Sequence, residues 1–244
     1  MVSRIMRAVS LVITAHNEGY LVIRALNSML QNLRIAEIVE YEVLIGLDNP
    51  DNVTQNIVGD EDFDSKFIQV HNFKINDVGL VRQHLLSLTK FDYVSFLDAD
   101  DLWGDNWLYE ASKFSAKNPN AVLHPDLTIF FDKEIKYVRN NPDSTSRKFK
   151  KELLVFENVW TSSFITPRWV MEKFPMKSGN TSDDSSPYAY EDWSWFRETL
   201  VAGIDHRVVK KTAHFHKIKD NSNTSKSILL NKKPWPMDLK KLLY

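Results

Sequence analysis

The chain has 244 residues, of which 43% are hydrophobic, and its formal net charge is −1. This length is ample for a sizeable core in one large or two small domains. The near-neutral charge produces no overall field that would favour nucleic acid or an anionic membrane surface. Cysteine is absent, so disulfides and thiolate metal sites are excluded.

The N-terminal apolar run AVSLVITA, residues 8–15, follows Arg4 and Arg7 and so looks like part of a signal peptide. It is short, contains Ser10 and continues into the polar HNEG, which favours a buried strand instead. No stretch reaches the roughly 20 apolar residues that a spanning helix needs. We therefore expect a soluble, cytoplasmic protein without a transmembrane segment. Peripheral membrane association stays open, because residues 232–244 could rest on a surface or pack against another subunit.

The first half of the chain alternates strand and helix patterns. Residues 9–14 form a continuous β-branched and aliphatic run, typical of a strand covered on both faces. Apolar residues then recur at helical spacing over 21–33, and a second strand ends just before Asp48 and an Asn/Asp/Pro turn. A short strand over 67–70, a helix over 78–89 and a strand over 93–97 follow. This order predicts an α/β fold with a mostly parallel central sheet flanked by helices.

The second half is less regular. The patterns predict helices over 107–117, after Pro167 and over 191–203, and short strands over 121–123 and 127–131. Two polar loops, 147–151 and 178–188, are candidates for a mobile lid. We find no repeat and no linker between folding units, so we predict a single domain over 1–244.

Three carboxylates, Asp98, Asp100 and Asp101, directly follow the fourth predicted strand. Like charges this close repel each other, so solvent or a cation must compensate them. A solvated acidic turn is one explanation. The other is a divalent-cation site, because Mg²⁺ and Mn²⁺ take oxygen ligands, usually one or two carboxylates plus substrate phosphates. Thr14 and Asp48 also lie at strand ends, where ligands bind in parallel sheets, so we expect one common crevice.

Five segments of the chain carry a recognisable pattern in this order: VSLVITAHNE, LIGLDNPDN, VRQHLLSLTKFDYVSFLDADDLW, VWTSSFITPRWVMEKF and YEDWSWFRETLVAG. In the same order, they resemble the landmarks of the large family 2 of inverting glycosyltransferases, which have the GT-A fold. The resemblance implies a Rossmann-like, mostly parallel sheet with a smaller acceptor-side region. It assigns about 8–103 to a nucleotide-sugar-binding half, about 104–220 to an acceptor-binding and catalytic half, and 221–244 to a C-terminal tail.

The resemblance also implies a nucleotide-sugar donor, a UDP-sugar, bound at the strand ends. The donor-binding residues are then Thr14, Ala15, His16, Asn17, Glu18, Asp48, Arg82, Asp98 and Ala99. The resemblance implies that Thr14, Ala15 and His16 hold the base and that Asp48 accepts a hydrogen bond from it. Arg82 then faces the base or diphosphate, and Asp98 lies near the ribose. Because His16 stands where an aromatic residue usually stacks on uracil, a donor with another base stays open.

For the metal, the resemblance implies Mn²⁺ or Mg²⁺ held by Asp100, Asp98 and His216, with Asp101 orienting the loop. His214 is the alternative to His216, since both point the same way on an alternating strand. Either histidine could also be an ordinary surface residue.

For catalysis, the resemblance implies Asp192 as the general base, with Glu191 beside it contacting the acceptor or supporting the loop. Without the family, acidic residues there are explained by the dipole of the helix that they begin. Trp160 is the expected acceptor contact among several tryptophans, most of which we assign to the core. The reaction is then a single displacement with inversion, in which the metal stabilises the leaving nucleotide.

Three other functions are alternatives to this interpretation. A haloacid-dehalogenase-type phosphatase needs Thr or Val where Asp101 and Leu102 stand. A nucleotidyltransferase would be expected to have a glycine-rich phosphate loop, and the chain has only seven glycines. A catalytically inactive nucleotide-sugar or carbohydrate-binding module would have no need for Asp192. The acceptor hydroxyl is of unknown class; a nucleic-acid acceptor is unsupported by the net charge, and the oligomeric state is not indicated.

Overall fold

A computed structural model describes residues 6–179, 186–220, 222–238 and 240–243. Its strands are β1 (Ala8–Ala15), β2 (Glu40–Asp48), β3 (Ile68–Phe73), β4 (Tyr93–Asp98), β5 (Leu102–Trp103), β6 (Val122–Phe131), β7 (Ile135–Asn140), β8 (Phe164–Pro167) and β9 (His206–Lys217). Its helices are α1 (Leu21–Ile35), α2 (Asn52–Gly59), α3 (Val78–Leu88), α4 (Trp107–Ser115), α5 (Arg168–Lys173), α6 (Glu191–Val201), α7 (Asn223–Leu229) and α8 (Lys240–Leu243), and a 3₁₀ helix covers Lys151–Val155. The described strands form one sheet in the order β3-β2-β1-β4-β8-β6-β9-β5, and β7 pairs with β6.

The first half of the sheet is parallel, as the apolar runs predicted. β1 lies between β2 and β4, and β2 also pairs with β3, all in parallel register. The interior of β1 is completely buried, because helices cover both of its faces. In this register Thr14 lies opposite Asp98, so the carboxyl ends of β1 and β4 meet at one edge.

The segment after β2 forms helix α2, where the sequence predicted only a turn. The Asp51 carboxylate accepts a hydrogen bond from the Thr54 N–H at 2.7 Å and so caps the helix. Thr54 and Val58 are buried on its inner face. Asparagine and aspartate favour both turns and helix N-termini, which is why the composition alone did not reveal α2.

The second half of the sheet is mixed, so the parallel character belongs to the first half. β8 enters antiparallel to β4 and β6, whereas β6 and β9 are parallel. The two strands predicted over 121–123 and 127–131 are one strand, β6, whose pairing with β9 shifts register between Pro125 and Leu127. Proline lacks the N–H that a regular ladder requires. β7 and β8 were not predicted.

The C-terminal segment folds back on the loop before α6. Lys233 forms an isolated bridge with Tyr188, and Trp235 packs on the Tyr188 ring with centroids 4.9 Å apart. The Trp235 indole N–H also donates to the Ser178 carbonyl at 2.8 Å. The proposed lid at 178–188 includes residues 180–185, which lie outside the described part of the chain. No helix in that described part has both the length and the apolar character needed to cross a membrane.

Trp160 lies in a buried aromatic stack, which contradicts its predicted contact with the acceptor. Its ring is 1% exposed. It stacks on His206 at 4.5 Å, on His124 at 4.9 Å and on Phe149 at 5.7 Å, and its N–H donates to the Pro142 carbonyl at 2.9 Å. The ring faces that a sugar would need are therefore occupied by other side chains.

The two histidines in this stack are uncharged. His124 Nε2 and His206 Nδ1 lie 2.9 Å apart and share one hydrogen bond, and His206 Nε2 lies 2.9 Å from the Thr199 hydroxyl. Burial lowers the pKa of His206 to about 3 and that of His124 well below its usual value. The stack therefore depends on both rings staying neutral.

We predict that His124 and His206 lower the free energy of unfolding as the pH drops from 7 to 5. In this range the unfolded chain binds protons at both histidines while the folded protein does not, so each histidine should cost about 2 kcal/mol. Asp100 and Glu191, whose pKa values are raised to about 7, bind protons in the folded protein over the same range and oppose this loss. Urea titrations at pH 7 and pH 5 should therefore show that a His206→Gln variant loses about 2 kcal/mol less than the wild type. Titration of either imidazole between pH 5 and 8 in the folded protein would contradict the prediction.

Candidate active site

The predicted crevice forms where β1 and β4 end. The Thr14 hydroxyl donates to Asp98 Oδ1 at 3.2 Å, and the Ala99 N–H donates to the Thr14 carbonyl at 3.1 Å. Ala15 is buried beside them. Three of the predicted donor residues therefore pack directly around Asp98, as the parallel register requires.

The loop after β1 places His16 and Asn17 at the exposed rim of this crevice. The His16 imidazole Nδ1 contacts the Asp48 carbonyl oxygen at the end of β2, which fixes the ring between the two strand ends. The Asn17 side-chain oxygen accepts from the Asp51 N–H at 2.7 Å. The exposed, tethered imidazole is suitably placed to stack on a flat base.

The Asp48 carboxylate, predicted to contact the base, holds the loop before α3. One oxygen accepts from the Ile75 N–H at 2.7 Å and the other from the Asp77 N–H at 3.0 Å. Asp77 in turn caps α3 by accepting from the Leu80 N–H at 3.1 Å. Since a carboxylate oxygen can accept more than one hydrogen bond, a base contact at Asp48 stays a prediction.

Arg82 on α3 joins the donor-side carboxylate to the start of α6. Its guanidinium contacts Asp98 Oδ1 at 2.5 Å and Glu191 Oε1 at 2.8 Å, and its side chain is 2% exposed. Burial alone would lower the pKa of Arg82, but Asp98, Glu191 and Asp192 raise it above its usual value. The predicted donor residue Asp98 and Glu191, the residue before the predicted base, are therefore held together by one buried cation.

Asp98 has three hydrogen-bond partners in this arrangement. Its second oxygen accepts from the Ser162 hydroxyl at 2.7 Å. Burial opposes its charge, yet Arg82 and Ser162 hold the pKa of Asp98 below its usual value. In this conformation Asp98 is the partner of Arg82, and its role as a metal ligand stays a prediction.

Asp192, the predicted base, is half-buried in the first turn of α6. Its Oδ2 accepts from the Asn158 side-chain N–H₂ at 3.0 Å, and its Oδ1 accepts from the Trp193 N–H at 2.7 Å. Burial raises its pKa above the usual value, against the influence of Arg82. A raised pKa makes a carboxylate a stronger base, which suits proton abstraction.

The start of α6 can approach α3 only because residue 79 is glycine. A Cβ there would lie 2.2 Å from the Lys177 carbonyl oxygen and 3.1 Å from the Glu191 Cβ. Tyr190, just before the helix, has a left-handed backbone with φ of 60°, a conformation that costs a residue with a side chain of order 1–3 kcal/mol. Close packing and local strain thus fix the direction in which Glu191 and Asp192 enter the crevice.

Asp101 binds both histidines of β9. Its Oδ2 lies 2.9 Å from His214 Nε2 and 3.0 Å from His216 Nδ1, and its Oδ1 accepts from the Lys217 N–H at 2.8 Å. Burial opposes charge at Asp101, but the two imidazoles hold its pKa well below the usual value. Despite burial, Asp101 raises the pKa of His216 to about 9. This carboxylate therefore anchors the end of β9 and keeps a positive charge at His216.

Asp100 is paired with a lysine that follows β9. The Lys219 ammonium lies 2.6 Å from Asp100 Oδ2 and 3.2 Å from Glu18 Oε1. Burial and the neighbouring Asp101 raise the pKa of Asp100 to about 7. Although burial opposes it, Asp100 raises the pKa of Lys219 to about 12, so the lysine is charged.

The residues at this edge are chemically suited to a divalent cation. The ligand atoms of Asp101, His214 and His216 all lie within 4.8 Å of one another, and Asp100 already attracts the Lys219 ammonium as a stand-in cation. Carboxylate oxygen and imidazole nitrogen are ligands that Mn²⁺ accepts. The carboxylate and imidazole chemistry of this edge therefore fits the predicted metal, and its assignment to Asp100, Asp98 and His216 stays a prediction.

Three residues of the site were missed in the sequence. Ser162 and Asn158 lie in the quoted segment VWTSSFITPRWVMEKF or just before it, but contact Asp98 and Asp192 from a distance in sequence. Lys219 lies two residues after the HFHK stretch, in which only the histidines carry a metal-ligand signal. Their polar side chains give no periodic signal, and only the folded chain shows their partners.

Comparison with known proteins agrees with this architecture. The model of the family "Glycosyl transferase family 2" matches residues 10–178. Among solved structures, the fold is similar to S. aureus TarS 1–349 in complex with UDP-GlcNAc, with a TM-score of 0.68 and 16% identity over 89% of this chain. It is also similar to the UDP complex of TarS 1–349, with a TM-score of 0.64 and 16% identity over 92% of this chain. A comparison with curated protein sequences gave no match.

The fold is thus of the GT-A type, and the predicted fold class is confirmed. The chain belongs to glycosyl transferase family 2, as the five sequence segments predicted. It spans 60% of the TarS chain in the UDP-GlcNAc complex and 64% of that in the UDP complex.

We predict that Arg82→Met lowers the free energy of unfolding by about 3–5 kcal/mol, because Asp98 and Glu191 would stay buried without their shared cation. Urea unfolding measures the change. Arg168→Met is the matched control: Arg168 pairs with Glu172 on the surface of α5 at 3.2 Å, and such a pair contributes roughly 0–1 kcal/mol. Equal losses in the two variants would contradict the central role of Arg82.

Proposed function

We propose that the protein is a metal-dependent, inverting glycosyltransferase that moves a sugar from a UDP-sugar to an acceptor hydroxyl, with Asp192 as the general base. The observation that carries this proposal is the Arg82 bridge, which brings Asp98 at the end of β4 within one ion-pair network of Glu191, the neighbour of Asp192. A donor site and a base in one crevice are what a single displacement needs.

The donor side of the proposal uses the strand-end residues. His16 stacks on the base at the exposed rim, and Asp48, whose carboxylate already orders the adjacent loop, lies beside it. The bound UDP-GlcNAc and UDP of the structurally similar TarS support a uridine nucleotide. Arg82 and Ser162 hold the Asp98 carboxylate in a fixed position next to the ribose.

The metal would be Mn²⁺ or Mg²⁺, held by Asp100 and His216. When bound, such a cation supplies Lewis-acid stabilisation of the charge that develops on the leaving diphosphate. Asp101 contributes by holding His216 at a fixed position through its Oδ2, 3.0 Å from the ring Nδ1.

The acceptor side uses Asp192 and its supports. The Asp192 carboxylate takes the proton of the acceptor hydroxyl while that oxygen attacks the anomeric carbon, so the sugar inverts. Asn158 holds one carboxylate oxygen and leaves the other lone pairs available for the hydroxyl. Glu191 serves as a positioning residue, because its contact with Arg82 fixes the first turn of α6.

Nucleotide binding is the first test of the donor site. We expect calorimetric titration to show tight binding of UDP in the presence of Mn²⁺ and at least tenfold weaker binding in Asp100→Asn, which loses a charged metal ligand. Asp62→Asn, an exposed substitution of the same kind, is the control and should bind as the wild type does. Equal binding with and without the metal would contradict the metal dependence, and tighter binding of another nucleotide would contradict the uridine donor.

Turnover is the test of the base. Asp192→Asn keeps the size of the side chain but removes the proton acceptor, so we expect kcat to fall by about 10²- to 10⁴-fold while UDP binding stays within twofold. Because the acceptor is unidentified, metal-dependent hydrolysis of UDP-sugars provides the assay, with Asp62→Asn again as the control. A wild-type protein that binds UDP but hydrolyses none of the UDP-sugars tested, alone or with candidate acceptors, would instead indicate an inactive binding module.

A further inference from the structure

The ammonium of Lys219 forms an ion pair with Asp100, the carboxylate that would bind the metal. Lys219 lies in the turn after β9, and its Nζ approaches Asp100 Oδ2 to 2.6 Å and Glu18 Oε1 to 3.2 Å. The turn is itself held in place, since the Lys219 carbonyl accepts from the Ser222 N–H at 3.3 Å. One cation therefore connects the acidic segment after β4 with the loop after β1.

This contact and metal binding at Asp100 interfere with each other. A divalent ion at the same carboxylate would face an ammonium a few ångströms away, and two cations at that separation repel strongly in a partly buried site. The lysine can leave, because its side chain is 35% exposed and flexible. A bound ligand that attracted the Lys219 ammonium to another position would therefore leave the Asp100 carboxylate free to bind the cation.

The donor diphosphate has the chemistry to do this. In the proposed donor complex, the negatively charged diphosphate lies between the loops after β1 and β4. The Lys219 ammonium already contacts a carboxylate on each of these loops, Glu18 on the first and Asp100 on the second. An ammonium is a compact point charge with three donors and binds phosphate well. Glu18, its second partner, belongs to the loop predicted to contact the nucleotide, so donor binding and the lysine contact share one surface.

We propose that Lys219 makes divalent-cation binding depend on the donor: its ammonium occupies Asp100 until the diphosphate of the nucleotide draws it away. The inference rests on the proposed function, since it takes Asp100 as a metal ligand. It adds a fixed order, in which the metal binds with the nucleotide and binds poorly before it. Lys219 is then a positioning residue for the metal and a ligand of the diphosphate.

The test is a Mn²⁺ titration followed by the EPR signal of the free ion, with and without saturating UDP. Without UDP, we expect Lys219→Met to bind Mn²⁺ at least tenfold more tightly than the wild type, because a charge-assisted competitor is gone. With UDP this advantage should disappear. By linkage, the gain in UDP affinity that Mn²⁺ produces should shrink in Lys219→Met by the same factor, which calorimetry measures independently.

Lys210→Met is the matched control. Lys210 lies on the same strand as the histidines and pairs with Asp126 at 2.9 Å, so the variant loses one positive charge and one Lys–Asp contact away from the crevice. It should bind Mn²⁺ like the wild type. A tighter site in both variants would reduce the effect to overall charge and overturn the role of Lys219.

The outcomes separate this inference from the proposed function. If Asp100→Asn abolishes Mn²⁺ binding but Lys219→Met binds Mn²⁺ with the wild-type affinity, the inference fails and the metal site stands. If no variant binds Mn²⁺ even with UDP, metal dependence fails, and the inference fails with it. Lys219→Gln is a second variant, and matching melting curves show that both substitutions leave the fold intact.

Discussion

The arrangement of the site depends on the ion pairs that one buried guanidinium forms. Arg82 extends from α3 between Asp98 and Glu191, which are 93 residues apart in sequence, and forms an ion pair with each. A buried carboxylate deprived of its partner is strongly destabilising, so α6 has little freedom to move away from β4. The position of Asp192 relative to the strand ends is therefore set by an ion pair in which Asp192 itself takes no direct part.

The same logic resolves the crowding of carboxylates after β4. Asp98, Asp100 and Asp101 point to three different elements, and each finds a cation there: Arg82 for the first, Lys219 for the second and His216 for the third. Ion pairs with α3, with the turn after β9 and with β9 itself thus offset the repulsion among the three carboxylates. A short acidic segment fastens three parts of the fold at the edge of the sheet.

Local signals predicted some of this and could not predict the rest. The apolar runs of β1, β2 and β4 have the period and length of buried strands. Because neighbouring parallel strands end at the same edge of a sheet, Thr14 and Asp98 could be predicted to lie side by side. The contact between Asp101 and His214 spans 113 residues, and no local pattern carries such a distance. The predicted acceptor contact at Trp160 was wrong for a related reason. The burial of this ring depends on His124 and His206, which approach it only in the folded chain.

The Arg82 bridge also limits how the two halves of this chain can be recombined with those of a relative. A chimera joined near residue 104 would cut the chain between Asp98 and Glu191. Every such junction separates Arg82 from the carboxylate that fixes α6, and the space beside Gly79 has to match the incoming helix. A working exchange therefore requires α3 and α6 to be transplanted together, although they belong to opposite halves of the sequence.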